Sequence, residues 1–282
     1  MKKQNSATAK MRKSLFVFWL LSLQLSAFSQ NLYNAEHTQQ FANYLFNSQQ
    51  YGFAIQEYER LVFLNKHDSA SHLMLLKSYR LGKEYDRGIQ SAQQLYGGKL
   101  FQIEQVLAAE YTKLLLANGK NTEAYNYLTK NSTLPQKKKA DWQLSALLLN
   151  QDWNEAYEYS KNKNELQIEL VTLSEKAKNQ SYKKPALAAF MSAIVPGSGK
   201  FYTKNWKDGA IALLFVAANS WQAYRGFNKY GNQSAYGWVF GTIALGFYGG
   251  NVYGSYKAAK KYNQQTEHKL YHEASHLIFS DF

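Results

Sequence analysis

The sequence predicts an all-α protein in two parts, a solenoid of helical hairpins over residues 30–180 and a transmembrane helical hairpin over residues 181–263. Three observations carry the prediction. Small residues return at a period near 34 in the first part, two long apolar segments occupy the second, and a charged, then apolar, then small-residue segment precedes both.

At the N-terminus, Lys10, Arg12 and Lys13 precede an apolar run from Leu15 to Leu23, and Ala27, Phe28 and Ser29 then supply a small-x-small cleavage pattern. That order is the one a secretory signal peptide uses, so residues 1–29 are expected to be a signal peptide. The five positive charges of this segment (Lys2, Lys3, Lys10, Arg12, Lys13) would hold the N-terminus inside and send the chain from residue 30 onward out of the cytoplasm.

The 282-residue chain carries 33 Lys+Arg against 20 Asp+Glu, a formal charge of +13. Beyond the signal segment the remaining basic excess lies partly beside the apolar C-terminal segments, so the expected partner of that charge is membrane lipid and not nucleic acid. Cysteine is absent, which excludes disulfides, thiolate metal sites, a cysteine nucleophile and a lipidated cysteine.

In residues 30–180 the strings Gln50 to Gln56 (QYGFAIQ) and Glu84 to Gln90 (EYDRGIQ) are offset by 34 residues. The same small-residue position recurs at Ala124 and Ala156, so Ala54, Gly88, Ala124 and Ala156 are spaced 34, 36 and 32. A small residue early in every second helix is what close helix crossing requires. First helices are expected near 36–47, 70–81, 103–118 and 138–150, and second helices near 52–65, 86–97, 121–130 and 153–162. Residues 164–179 would form a last helix over the open end. With Tyr51, Tyr85 and Trp153 opening second helices just before those small residues, residues 35–163 resemble a tetratricopeptide-type repeat array. The family's Trp-x-x-Leu-Gly-x-x-Tyr signature is missing, and Gly88 stands in place of Ala. The resemblance implies a concave surface for a protein or peptide partner, and no catalysis.

In residues 181–263 the segments near 209–227 and 234–256 are each long enough, at about 1.5 Å per residue, to cross roughly 30 Å of hydrocarbon. Gly237, Gly241, Gly246, Gly250 and Gly254 offer a flat face for a second backbone, and Asn219 and Gly250-Asn251 are expected to lock the hairpin. Tyr224, Tyr230, Tyr236, Trp238, Tyr253 and Tyr256 read as an interfacial belt. The tract Pro196, Gly197, Ser198, Gly199, Lys200, Phe201, Tyr202, with Asp208-Gly209 and the later Gly250, Asn251, Gly254 and Lys261-Tyr262-Asn263, resembles a bacterial two-helix membrane-domain family. In that family a Pro-Gly-x-Gly-x-x-Tyr motif introduces the helical pair, and the module often stands behind helical repeats. The resemblance implies that Pro196, Gly197, Gly199 and Tyr202 shape a lead-in turn to the membrane. One conflict stands against it: eight positive charges flank the hairpin (Lys183, Lys184, Lys200, Lys204, Lys207, Lys257, Lys260, Lys261) and only Arg225 and Lys229 lie in its loop, a bias that favours flanks on the inside.

Two motifs look catalytic. His272, Glu273, Ala274, Ser275 and His276 form a literal H-E-x-x-H, with His268 one turn earlier, the ligand spacing of a zinc peptidase. A helix through 264–280 places Leu270, Ala274, Leu277 and Ile278 on one face and the three histidines nearly opposite, toward solvent. Gly197 to Lys200 lacks the earlier glycine and the Ser/Thr of a phosphate loop. The expectation is therefore an exported bacterial scaffold or adaptor without cofactor or metal, anchored in the inner membrane with its repeats on the periplasmic side and residues 264–282 as a C-terminal amphipathic helix or tail. The rival class is a zinc hydrolase.

Overall fold

The computed structural model describes residues 34–163, 165–280 and 282; the signal-peptide expectation over 1–29 lies outside them. Among the described residues all regular structure is helical. Contacts divide the chain into two compact units, a first reaching to Leu114 and a second, Leu115–Phe282. The division expected from sequence was at 180/181. It falls earlier because the last hairpins pack with the C-terminal helices and form one body with them.

The first unit contains helices α1 (Ala35–Asn47), α2 (Tyr51–Leu64), α3 (Ser69–Leu81) and α4 (Tyr85–Tyr96), a 3₁₀ turn Gly97–Gln102, and most of α5 (Gln105–Ala117). Sequence sets the helix starts through side-chain caps. Asn34 accepts from the His37 amide at 2.7 Å, and Asp68 from the Ala70 amide at 3.1 Å, each occupying an amide that has no partner inside its helix. Helix α1 packs on α2, α2 on α3 and α3 on α4. Ile55, Tyr58, Leu75, Leu76, Ile89 and Leu107 are fully enclosed, and each such side chain contributes about 2 kcal/mol by leaving water.

The second unit begins with α6 (Asn121–Lys130), α7 (Gln136–Leu149), α8 (Trp153–Lys161) and α9 (Ile168–Lys178). It continues through α10 (Pro185–Ile194), the short α11 (Ser198–Tyr202), α12 (Trp206–Tyr230) and α13 (Ala235–Phe279).

The repeat is strict in one local device. Gln49, Lys83, Gly119 and Gln151 all adopt positive φ, 59°, 60°, 72° and 62°, two residues after a first helix ends. After each, the next amide reaches back five residues, Gln50 to Leu45, Glu84 to Tyr79, Lys120 to Leu115 and Asp152 to Leu147, at 2.9 to 3.1 Å. This is the six-residue closure of a Schellman cap. Five residues beyond each left-handed position stand Ala54, Gly88, Ala124 and Ala156, so four hairpins share one turn and one crossing point. The chain is thus an array of helical hairpins.

The transmembrane expectation is overturned. Helices α12 and α13 form the anticipated antiparallel pair and are 25 and 45 residues long. Length alone would suffice, but Asn219, Ser220, Gln222 and Arg225 interrupt α12, and Gly, Trp, Tyr and Asn dilute α13. No helix among the described residues is long and apolar enough to cross a membrane. The inner-membrane location inferred from those spans falls with them. The segment expected as a C-terminal amphipathic helix or tail continues α13, which runs unbroken to Phe279 and buries Leu270, Ala274 and Ile278 in its last turns. Those turns lie against α7 and α9.

Candidate functional site

Ala54, Ala124 and Ala156 are fully buried, while Tyr51 and Tyr85 are half-buried and Trp153 is buried at the first position of their helices. Gly88 is buried because a methyl there would lie 2.8 Å from the Cβ of Tyr79 and 3.1 Å from Leu114. Trp153 also donates from Nε1 to Glu267 Oε2 at 2.6 Å, tying α8 to α13.

Most polar side chains inside the first unit are paired, and among the described residues the buried His72 Nε2 is the exception there. Arg80 and Glu110 form an ion pair with side chains only 11% and 5% exposed. Tyr79 donates to Glu59, which also receives Arg87. Burial pushes the Tyr58 hydroxyl up to about 12, and it donates to Asn43 at 2.6 Å. His72 meets Tyr96 through Nδ1, and burial lowers its affinity for a proton. Several large apolar side chains of this unit face outward, Phe53, Phe63, Leu64 and Val106 among them, and two aromatics, Phe41 and Tyr44, stand one turn apart on α1 at 50% and 61% exposed.

The Pro-Gly-x-Gly-x-x-Tyr tract is a junction of helices with its two glycines buried, which corrects its reading as a lead-in turn to a membrane. Pro196 stands just past the end of α10, where it cannot continue the helix. Gly197 has φ 89°, and a Cβ there would come within 3.0 Å of the Gly209 carbonyl. A Cβ on Gly199 would likewise collide with the Ala188 carbonyl. The Gly199 amide donates to Ser192 Oγ at 2.9 Å, and that hydroxyl bonds Ser255 on α13 at 2.7 Å. With this amide engaged, the tract holds no phosphate-loop nest. The Tyr202 hydroxyl accepts from the Lys184 amide at 3.2 Å, and the Lys183 ammonium lies 4.6 Å over its ring.

Three features of this junction were not identified from sequence. Asn263 clamps the backbone of Lys183 at both ends: the Lys183 amide donates to Oδ1 and Nδ2 donates to the Lys183 carbonyl, each at 2.8 Å. Tyr248 donates to the Ala193 carbonyl at 2.6 Å, capping α10. The Ser192–Ser255 pair is the third. The Lys261-Tyr262-Asn263 string held the first signal, but nothing local announces that Asn263 faces residue 183.

The hairpin between α12 and α13 is not locked by asparagines. Asn219 donates to the Phe215 carbonyl of its own helix at 2.7 Å, and among the described residues Asn251 has no partner at either side-chain atom. Closure comes instead from Gly226 against Gly237, where a Cβ on Gly226 would lie 2.7 Å from the Gly237 amide, and from Phe227 edge-on to Trp238 at 5.4 Å. Only this end of the glycine row meets a second backbone. Gly246 and Gly250 face open space, and Gly254 faces the Lys200 side chain. Asp208 is exposed in the first turn of α12 and accepts from Asn205 Nδ2 at 2.7 Å. Lys200, Asp208, Ile211, Phe215, Phe247 and Asn251 are among the walls of a cavity of about 320 Å³.

The H-E-x-x-H row does not assemble a metal centre. His268, His272 and His276 lie on the exposed side of α13, with the first two rings 4.3 Å apart. Glu273 points elsewhere and holds Lys176 at 2.6 and 2.8 Å. No group of three or more histidine or carboxylate side chains among the described residues could hold a metal ion. The successive residues His272 and Glu273 diverge by about 100° around a helix, so the acid meets α9 while the histidines meet solvent.

No family model matches the chain, and no curated protein matches it. The helical array is compatible with a tetratricopeptide-type fold, whereas the resemblance to a two-helix membrane domain gains no support.

Proposed function

We propose that the protein is a helical-repeat scaffold that binds a protein or peptide partner through the outward face of its first hairpin. The observation that carries this reading is the Phe41 and Tyr44 pair on α1, exposed beside a core that has its own complement of aromatic residues. Adjacent exposed aromatics are costly to hydrate and are the side chains that dominate interface energetics. The capped turn that follows α1, where the Gln50 amide bonds the Leu45 carbonyl at 2.9 Å, supports a fixed presentation of these rings, which lowers the ordering cost of association. No catalysis is assigned to the chain.

A photo-crosslinking residue placed at Tyr44 in the full-length protein tests this role in cells. A discrete crosslinked partner is expected, lost in a Phe41→Ala, Tyr44→Ala variant whose thermal unfolding is unchanged. Equal crosslinking from Lys99, an exposed position elsewhere in the same unit, would overturn it.

A further inference from the structure

We propose that the protein self-associates through the outer side of α12, which pairs with α12 of a second copy in antiparallel register about the level of Val216. The surface is separate from the aromatic pair on α1. Helix α12 carries two stripes. Gly209, Val216 and Ala223, seven residues apart, are buried, and a Cβ on Gly241 of α13 would lie 3.8 Å from Ala223. Two residues along a helix is a turn of about 200°, so Leu214 and Ala218 stand on the side opposite Val216. There Ile211, Leu214, Ala218 and Trp221 recur at intervals of three, four and three residues, and all four are exposed. That alternation is the seam of a coiled coil, the narrow apolar row that one helix offers to another.

Area, length and charge select a second copy as the occupant. Ile211, Leu214 and Trp221, with Phe215 and Tyr224 at the margins of the stripe, are between 51% and 68% exposed. At roughly 100–170 Å² each they leave on the order of 700 Å² per copy, above the roughly 300–600 Å² of the largest patch on a typical monomer and close to the roughly 800 Å² that each partner gives to a stable interface. Lys207 and Arg225 occupy the same row at its two ends, so its apolar part runs only from 211 to 221. At about 1.5 Å per residue that is about 15 Å, half the roughly 30 Å of a bilayer's hydrocarbon but a full helix crossing. Parallel pairing would set Lys207 on Lys207 and Arg225 on Arg225 of the second copy. Antiparallel pairing places Ile211 opposite Trp221 and brings the exposed Asp208 beside Arg225 of the second copy, an attraction at each end.

The same register sets Leu214 opposite Ala218, a large side chain against a small one at the centre of the seam, which lets helix axes approach to roughly 8–10 Å. The stripe is also held in place from behind. Gly226 lies against Gly237, and Phe227 is edge-on to Trp238 at 5.4 Å, so α12 presents its outer side from a fixed hairpin and association orders little.

Sedimentation equilibrium of the full-length protein tests the proposal. A reversible monomer–dimer equilibrium is expected at micromolar concentration. Leu214→Glu should weaken it about thirtyfold or more, the size of a hot-spot loss, with helix content unchanged because that side chain is 68% exposed. Leu245→Glu, at a 72% exposed position on α13, should leave the equilibrium as it was. The chain has no cysteine, so disulfide trapping has no background. A mixture of the Leu214→Cys and Ala218→Cys proteins should crosslink several-fold faster than either alone. A monomer throughout, equal weakening by Leu245→Glu, or faster crosslinking of each cysteine variant with itself overturns the proposal. So does flotation of the monomer with vesicles of phosphatidylcholine and phosphatidylglycerol that Leu214→Glu abolishes, because the stripe would then be covered by lipid.

Discussion

The repeat hairpins and the glycine junction near residue 199 solve the same problem, the crossing of two helices, at different separations. In the hairpins a buried Ala at 54, 124 or 156 lets side chains interlock. At the junction, Gly197, Gly199 and Gly209 bring backbone against carbonyl, where no side chain fits at all. The two regions nevertheless share their turn. Lys204 adopts φ 62°, the Asn205 amide reaches back to the Lys200 carbonyl at 2.9 Å, and Gly209 stands five residues on. Trp206 opens α12 as Tyr51, Tyr85 and Trp153 open their helices. The turn is a portable local unit, and the tightness of the crossing is set by the residue five positions beyond it.

This contrast ranks the expected effects of substitution. Gly199→Ala should be the most damaging change, above about 3 kcal/mol in denaturant unfolding, because the Ala188 carbonyl is backbone and cannot rotate away. A loss under about 1 kcal/mol would show that the junction yields like an ordinary side-chain contact.

Alkaline unfolding comes next. Burial pushes Tyr58 and Tyr96 of the first unit, and Tyr159 of the second, up to about 12 from 10.0. Each folded hydroxyl holds its proton longer than the unfolded one, so its contribution is complete below pH 10.0 and is lost as pH rises toward 12. At about 1.4 kcal/mol for each pH unit, Tyr58 alone should account for on the order of 2 kcal/mol. Hydrogen exchange above pH 10 should therefore open the first unit steeply, and Tyr58→Phe should flatten that dependence.

Gly88→Ala should cost about 1 kcal/mol: the crowding against Tyr79 Cβ outweighs the helix propensity gained. Stabilisation by this change would mean that the second hairpin is looser than its neighbours. The smallest effect has the opposite sign. Lys83→Gly relieves a left-handed residue that already occupies φ 60° and should stabilise by several tenths of a kcal/mol up to about 1. Thermal melts of Lys83→Gly and Lys204→Gly should then agree, if the shared turn has the same strain in both regions.

Much of the fold was legible in the chain itself. Helix existence and ends in the repeats agree with the apolar spacing to within about two residues, since capping and period are local properties. The buried faces of Ala54, Ala156 and Leu270 came from the same arithmetic. The candidate sites were less legible. Asn251 was marked as a polar group needing a partner, but its place in a cavity depends on where Lys200 and Phe215 lie, and both are distant in sequence.

Sequence by itself determined the paired helices, their period, the small residues at their crossings and the antiparallel pair at the C-terminus, because each rests on contacts within a few turns of chain. Tertiary structure alone decided that the Pro-Gly-x-Gly-x-x-Tyr tract is a junction of helices around two buried glycines, that Glu273 pairs with Lys176, and that Gly246 and Gly250 border a cavity instead of a helix. Glycine is the residue for which this matters most: a missing side chain admits a backbone, a cavity or nothing, and only the neighbours brought by the fold determine which.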